Sequence, residues 1–247
     1  MSTVALIVGL AGCGSSAKRL AATTTTSAPT TSTTLTGTSA ATDVATSATT
    51  VPVVTTQPTV ARAKDWEFDG DGRVDTARLV YLGNGEWDLV ADMTTLGMQT
   101  VEFGAIQPQA QESLRTRIIG AVDPNGEGQA DIFVQVDHGA ANAFWTIFAV
   151  TDRQLRQVTI AGQPLRLSLY GSVMSLSGFT CQGSDLIVTG ATAATDTATT
   201  YNWTRQTYRW QGAQLLLQAT ATGTTSIAGS STYGRSSCGD LPTGTGS

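Results

Sequence analysis

One histidine, three cysteines and no run of lysine or arginine in 247 residues remove several functions at the outset. His138 has no second histidine with which to share a metal, so a zinc centre is not expected. A lone imidazole of this kind reads as a loop or hydrogen-bonding residue rather than a catalyst. With no basic patch and a net charge of −5, nothing is available to neutralise phosphates, which argues against nucleic acid and against electrostatic docking on anionic lipid. The Gly-x-Ser-x-Gly elbow, the P-loop and the dinucleotide fingerprint are all missing. No apolar run is long enough to span a bilayer as a mature helix.

Charge is scarce, at 13% of residues, and the acidic part of it gathers in two segments of one pattern. Glu67-x-Asp69-x-Asp71-Gly72-x-x-Asp75 comes first, and Asp123-x-Asn125-x-Glu127-Gly128-x-x-Asp131 follows. Oxygen-bearing side chains at positions 1, 3, 5 and 9 converge on one point, and glycine at position 6 allows the tight turn that exposes the position-7 carbonyl. That arrangement suits a hard cation such as Ca²⁺. The ligands expected are Glu67, Asp69, Asp71, the Arg73 carbonyl and Asp75, then Asp123, Asn125, Glu127, the Gln129 carbonyl and Asp131. The first loop has four carboxylates and the second three with a neutral Asn125, so the first is expected to bind more tightly. An EF-hand is disfavoured, because Arg78 and Val134 stand at position 12, where a bidentate Glu is needed. The plain alternative is a pair of Asx-rich turns that need no ion.

The Asp-Gly-Asp-Gly-x-x-Asp stretch at 69–75 resembles the calcium loop of FG-GAP (VCBS-type) repeats, found in secreted bacterial proteins and integrin α-subunit propellers. The resemblance covers residues 65–137 and extends further only by periodicity. It implies a calcium loop between adjacent strands and a blade-like arrangement of antiparallel hairpins. Glu67 in place of Asp at position 1 and Glu127 at position 5 of the second loop depart from the family pattern.

At the N-terminus a short apolar stretch, Val4 to Gly12, ends in Leu10-Ala11-Gly12-Cys13. This resembles the bacterial lipobox, in which the signal is cut before a cysteine that then carries a diacylglycerol. Residues 1–13 are therefore expected to be a signal peptide, with Cys13 as the lipidation site and the membrane reached through that anchor. No Lys or Arg precedes the apolar run, which points to a start further upstream or to a defective signal. Residues 14–61 are dominated by Thr, Ser and Ala, too poor in apolar surface to offset backbone ordering. They read as a disordered stalk, roughly 140 Å long if polyproline-like and about 35–40 Å as a flexible coil.

Residues 62–247 read as all-β. Strands are expected after each acidic loop, at 76–81 and 132–136. Asn84-Gly85 marks a hairpin into 86–92, with further strands at 99–103, 144–150, 155–160, 201–210 and 214–218. Pro108 to Arg117 is the one helix candidate. Asp75, Asp131 and Asp185 precede β-prone runs at near-equal intervals, so about three consecutive hairpin-rich, blade-like modules in one compact domain are expected. Three blades fall short of a closed propeller, which leaves an open stack or a sandwich. In the third, degenerate module Cys181 replaces the acidic loop. Cys181 and Cys238 are expected to form a disulfide in an oxidising compartment, the alternative being two buried free thiols.

Glu86 and Asp88 form a carboxylate pair that reads as solvated surface. The five tryptophans (Trp66, Trp87, Trp145, Trp203 and Trp210) read as core or half-buried residues before they read as sugar platforms. The expectation is a non-enzymatic, lipid-anchored, monomeric module that binds an envelope protein or glycan. A secreted hydrolase acting on cell-wall carbohydrate is the alternative.

Overall fold

The computed structural model describes residues 66–104, 116–139 and 141–241, all within the compact unit spanning 50–247. The expected signal peptide with Cys13 and the stalk over 14–61 lie outside the described residues. So does the helix expected over 108–117, except for its last two positions. There the chain is already extended, and Arg117 opens a strand.

The first three strands, β1 (Thr76–Gly83), β2 (Glu86–Met93) and β3 (Gly97–Gly104), form a separate antiparallel sheet in that order. The β1–β2 turn is made by Asn84 and Gly85, both at positive φ (52° and 84°). Such a turn matches the right-handed twist of the strands it joins. Ala77 and Leu79 of β1 and Trp87, Leu89, Ala91 and Met93 of β2 are buried. Strand alternation sends these side chains to one face.

The next two long strands explain how this sheet is covered. In β5 (Asp131–His138) the first six residues are all buried, and in β6 (Asn142–Thr151) nearly all are. A continuous apolar run such as Ala-Phe-Trp-Thr-Ile-Phe-Ala-Val at 143–150 is what a strand buried on both faces requires. Phe133, Trp145 and Ile147 face one core. Ile132, Val134, Phe148 and Val150 face a second core shared with β1–β3, where Phe103 meets Phe148 edge-on at 5.2 Å. Each large side chain so buried stabilises the fold by about 1.5–3 kcal/mol. Gln99 of β3 fastens the two sheets at their margin, its amide donating to the Arg153 carbonyl (3.0 Å) and accepting from the Leu155 N–H (2.7 Å).

The remaining strands are β4 (Arg117–Val122), β7 (Gln154–Gln157), β8 (Thr159–Ile160), β9 (Gln163–Pro164), β10 (Leu167–Ser172), β11 (Ser175–Gln182), β12 (Asp185–Ala193), β13 (Thr200–Gln211), β14 (Gln214–Ser226) and β15 (Ser236–Ser237). With β5 and β6 they make one twelve-stranded sheet along the path β4-β5-β6-β10-β11-β12-β13-β14-β8-β9, with β7 on β6 and β15 on β11. The first expected module thus stands as its own sheet, but the second and third do not separate. A third sheet standing alone would leave the apolar faces of Phe179, Leu186, Tyr208 and Trp210 uncovered. Joined to β6 through β10, those residues share a core with Trp145, Leu167 and Leu169.

The degenerate third loop is a two-residue turn, with Gln182 paired to Asp185, and Asp185 is held by Arg209 in an ion pair. The only α-helical turn among the described residues, α1 (Ile227–Ser230), runs into a 3₁₀ turn at Ser231–Gly234. β15 then runs parallel to β11 and brings Cys238 to Cys181. The disulfide forms across a Cα–Cα distance of 4.8 Å and a sequence separation of 57. A cross-link over that length stabilises by about 2–4 kcal/mol. Gly178 permits the approach, since a Cβ there would lie 2.1 Å from the Arg235 carbonyl oxygen.

Candidate cation-binding loops

The two acidic segments fold alike. Each has glycine in the left-handed region at positions 4 and 6. These are Gly70 and Gly72 at φ 80° and 75° in the first loop, and Gly126 and Gly128 at 79° and 91° in the second. No other residue takes these angles without strain. In each, the position-1 carboxylate gathers the turn. Glu67 Oε1 accepts the N–H groups of Asp69 (3.1 Å), Gly70 and Asp71 (2.9 Å). Asp123 Oδ1 accepts those of Asn125 (3.2 Å), Gly126 (2.7 Å) and Glu127 (3.2 Å), and its Oδ2 takes the Gly128 N–H at 2.7 Å. Position 3 then caps position 5 in both, Asp69 to the Asp71 N–H and Asn125 to the Glu127 N–H. The longer Glu67 does the work of an aspartate.

They part company at position 9. Asp75 is 1% exposed and fully partnered, Oδ2 accepting the Phe68 N–H at 2.8 Å and Oδ1 the Thr94 N–H at 2.9 Å. Asp131 is equally buried, but its Oδ2 meets no donor among the described residues. Burial, followed by the charges of Glu127 and Asp123, holds the Asp131 carboxyl well above the usual carboxylate range. A physical reason stands in the sequence. Position 2 of the first loop is Phe68, whose N–H serves Asp75, while position 2 of the second is Pro124, which has no N–H to give.

The first loop also has help from the β2–β3 turn. Thr95 donates its hydroxyl to Asp71 and its N–H to Asp69 Oδ2 (3.3 Å). The Thr95 hydroxyl, foremost, holds Asp71 below the usual carboxylate range against the opposing effect of desolvation, with lesser help from the Arg73 N–H and charge. Sequence reasoning missed Thr94, Thr95 and Pro124. Pro124 was legible in principle, since aligning the two loops sets it against Phe68. The threonines arrive from a hairpin that only tertiary packing brings to the loop.

Of the ten residues expected as ligands, Glu67, Asp69 and Asp71 are gathered most closely, with carboxylate oxygens within 4.8 Å of one another. Asp75 is directed into backbone hydrogen bonds at the loop base. The loops also adjoin each other. The Ala130 N–H donates to the Glu67 carbonyl at 2.7 Å, and a Cβ on Gly70 would lie 2.8 Å from Gln129 Nε2. Gln129 therefore has its side chain over the first loop, and Arg73 donates its N–H to Asp71 at 2.7 Å.

His138 is exposed at the end of β5, its N–H donating to Asp137. Glu86 is exposed and Asp88 half-buried on β2. Comparison with protein-family models, curated proteins and solved structures finds no match.

The donor set is all oxygen and mostly anionic, which is the chemistry of Ca²⁺ rather than of a softer metal. The two loops fit a cation on different grounds. The first has three converging carboxylates. The second has a buried carboxylate with one oxygen that meets no donor among the described residues, which favours either a proton or a positive charge beside it.

Proposed function

We propose that this chain is a calcium-stabilised, extracytoplasmic binding or adhesion module of the cell envelope, anchored through a lipid on Cys13 and displayed on the stalk over 14–61. The observation that carries the cation is Asp131, buried and with no donor to its Oδ2 among the described residues, in a loop built on the same plan as 67–75. Ca²⁺ there supplies the positive charge that Pro124 denies. It is held by Asp131 with Asp123, Glu127 and the oxygens of Asn125 and Gln129, and at the first loop by Glu67, Asp69 and Asp71. The reading is supported by the separate antiparallel β1–β3 sheet that follows the first acidic loop, since the FG-GAP resemblance implies a calcium loop beside such hairpins. Support for binding rather than hydrolysis comes from the carboxylates themselves. Those that converge are occupied as backbone acceptors, and Glu86 and Asp88 lie on a strand surface.

The test is thermal unfolding of the full chain in chelator and in millimolar Ca²⁺. A cation at 100 times its Kd stabilises by about 2.7 kcal/mol, which in a domain of this size shifts the melting temperature by about 5–10 °C. Identical melting curves in the two conditions, with no heat of binding, would reject the calcium reading. Screening the same protein for retention and cleavage of cell-wall glycans tests binding against hydrolysis, and cleavage would replace this reading with an enzymatic one.

A further inference from the structure

Four of the five tryptophans are buried, and Trp203 is the one that is not. It stands on the outer face of the large sheet, opposite the core that takes Tyr208 and Trp210, and lines a groove of about 350 Å³. Thr180, Ile187, Thr189 and Arg205 share that lining, and Tyr233 of the 3₁₀ turn closes one side. The indole is held in place. It stacks on Tyr233 with ring centroids 5.7 Å apart and planes 22° apart, and its Nε1 donates to the Thr224 carbonyl at 3.3 Å. Its cross-strand neighbour is Gly223, where a Cβ would come within 2.7 Å of the ring. The backbone under the indole thus leaves room for the ring to lie flat over β14.

The charge of this groove runs against that of the molecule. The chain is acidic overall, yet no carboxylate lines the groove and Arg205 does. The guanidinium is exposed and has no partner among the described residues. Four positions further along β13, Arg209 is neutralised by its cross-strand partner Asp185. Gln182 adds an exposed amide and Thr180 a hydroxyl, while the hydroxyls of Thr189 and Thr232 already donate to backbone carbonyls and are left as acceptors. A fixed aromatic plate with an uncommitted guanidinium, an amide and hydroxyls beside it matches a pyranose ring that carries a carboxylate. The ring's C–H groups pack against the exposed margin of the Trp203–Tyr233 pair, its hydroxyls meet the Gln182 amide and the Thr180 hydroxyl, and the planar fork of Arg205 takes the carboxylate in two parallel hydrogen bonds. Preorganisation of the indole lowers the entropy lost on binding.

We propose that the groove between Trp203, Arg205 and Tyr233 binds an acidic saccharide of the hexuronate type. The proposal rests on the reading of the domain as an envelope-binding module and names its ligand class and place. The experiment titrates the full chain with trigalacturonate, with its methyl ester and with neutral cellotriose, following tryptophan fluorescence and heat of binding. The acid is expected to bind and to perturb the one half-exposed indole, with the ester and the neutral trisaccharide at least tenfold weaker. Arg205→Gln, at an exposed residue with no partner among the described residues, is expected to cut affinity for the acid about tenfold while leaving that for the ester unchanged. Absence of binding at millimolar trigalacturonate overturns the proposal, as does equal affinity of the native chain and Arg205→Gln. Retention of both proteins on a cell-wall glycan column would show that the binding module survives while this groove is not its site. Retention of neither would remove the binding reading itself.

Discussion

The loops at 67–75 and 123–131 share spacing, glycine angles and the way position 1 gathers the backbone, yet one is complete in itself and the other is not. In the first, peptide N–H groups and Thr95 supply the positive ends of dipoles to the carboxylates, and Asp75 works as an internal clasp. In the second, a proline at position 2 removes the matching donor, and the buried Asp131 Oδ2 meets no donor among the described residues. Counting carboxylates ranks the first loop as the tighter cation site. Counting what those carboxylates already hold points the other way: the loop with fewer acids has the greater need of a cation. A ligand pattern in sequence thus states what a loop can offer, and the donors around it decide how much of that offer is already taken.

The largest effect expected from this contrast is at the clasp. Asp75→Ala strands the Phe68 and Thr94 N–H groups and should destabilise the domain by roughly 2–6 kcal/mol, at 1–3 for each orphaned donor. Chemical denaturation should show this loss equally in chelator and in Ca²⁺, and a loss confined to Ca²⁺ would make Asp75 a ligand instead. Next in size is Asp131→Asn. It should raise the melting temperature in chelator, by removing a charge that burial opposes, and should abolish the second loop's share of the Ca²⁺-dependent rise. An undiminished rise would place the cation wholly in the first loop.

Pro124→Ala should act in the same sense but more weakly. It returns an N–H to position 2 and so reduces the Ca²⁺-dependent rise, set against about 0.4–1 kcal/mol lost through a freer unfolded chain. An unchanged calcium response in this variant would show that proline is not the cause of the orphaned carboxylate.

Acidity sharpens the comparison further. Asp131 titrates higher folded than unfolded, so the folded state binds its proton more tightly. Its penalty is absent below the ordinary aspartate range near pH 4, grows as pH rises from there, and is complete once the raised range is passed. In chelator, the stability of the native chain minus that of Asp131→Asn should therefore fall with rising pH. A flat difference would mean that the carboxylate finds a donor in solution. The smallest effect is at Thr95. Thr95→Val takes away the hydroxyl that holds Asp71 low, and an NMR titration should show Asp71 moving up towards the usual range with the fold intact.

Much of the fold was legible in the sequence where local chemistry decides it. Asn84-Gly85 makes the turn expected of it, the glycines of both loops sit at the angles their spacing implies, and Cys181 meets Cys238. The run at 143–150 announces a strand, but it takes the structure to show that each face meets a different core. β10 and β11, with sequences Leu-Ser-Leu-Tyr-Gly-Ser and Ser-Leu-Ser-Gly-Phe-Thr-Cys-Gln, carry serine and glycine where a sheet usually has branched residues. Tertiary pairing with β6 and β12 overrides that weak propensity. Those strands also merge the second and third expected modules, because periodicity in sequence counts hairpins and says nothing of which hairpins share a sheet. In the loops the shared turn geometry was legible, but which carboxylates already hold backbone donors was not.

The wall formed by β5 and β6 has a consequence for how the domain comes apart. Ile132 and Phe133 are neighbours in sequence yet belong to different cores, so withdrawing either strand opens both cores at once. Among the described residues β5 and β6 supply most of the apolar floor under the β1–β3 sheet, with Leu155 of β7 and Ile118 and Ala121 of β4 adding to it. Melting should therefore be a single calorimetric transition, and the slowest amide hydrogen exchange should fall at 132–136 and 145–149. A pull on either sheet is thus borne by β5 and β6, and the domain resists as one body until they part.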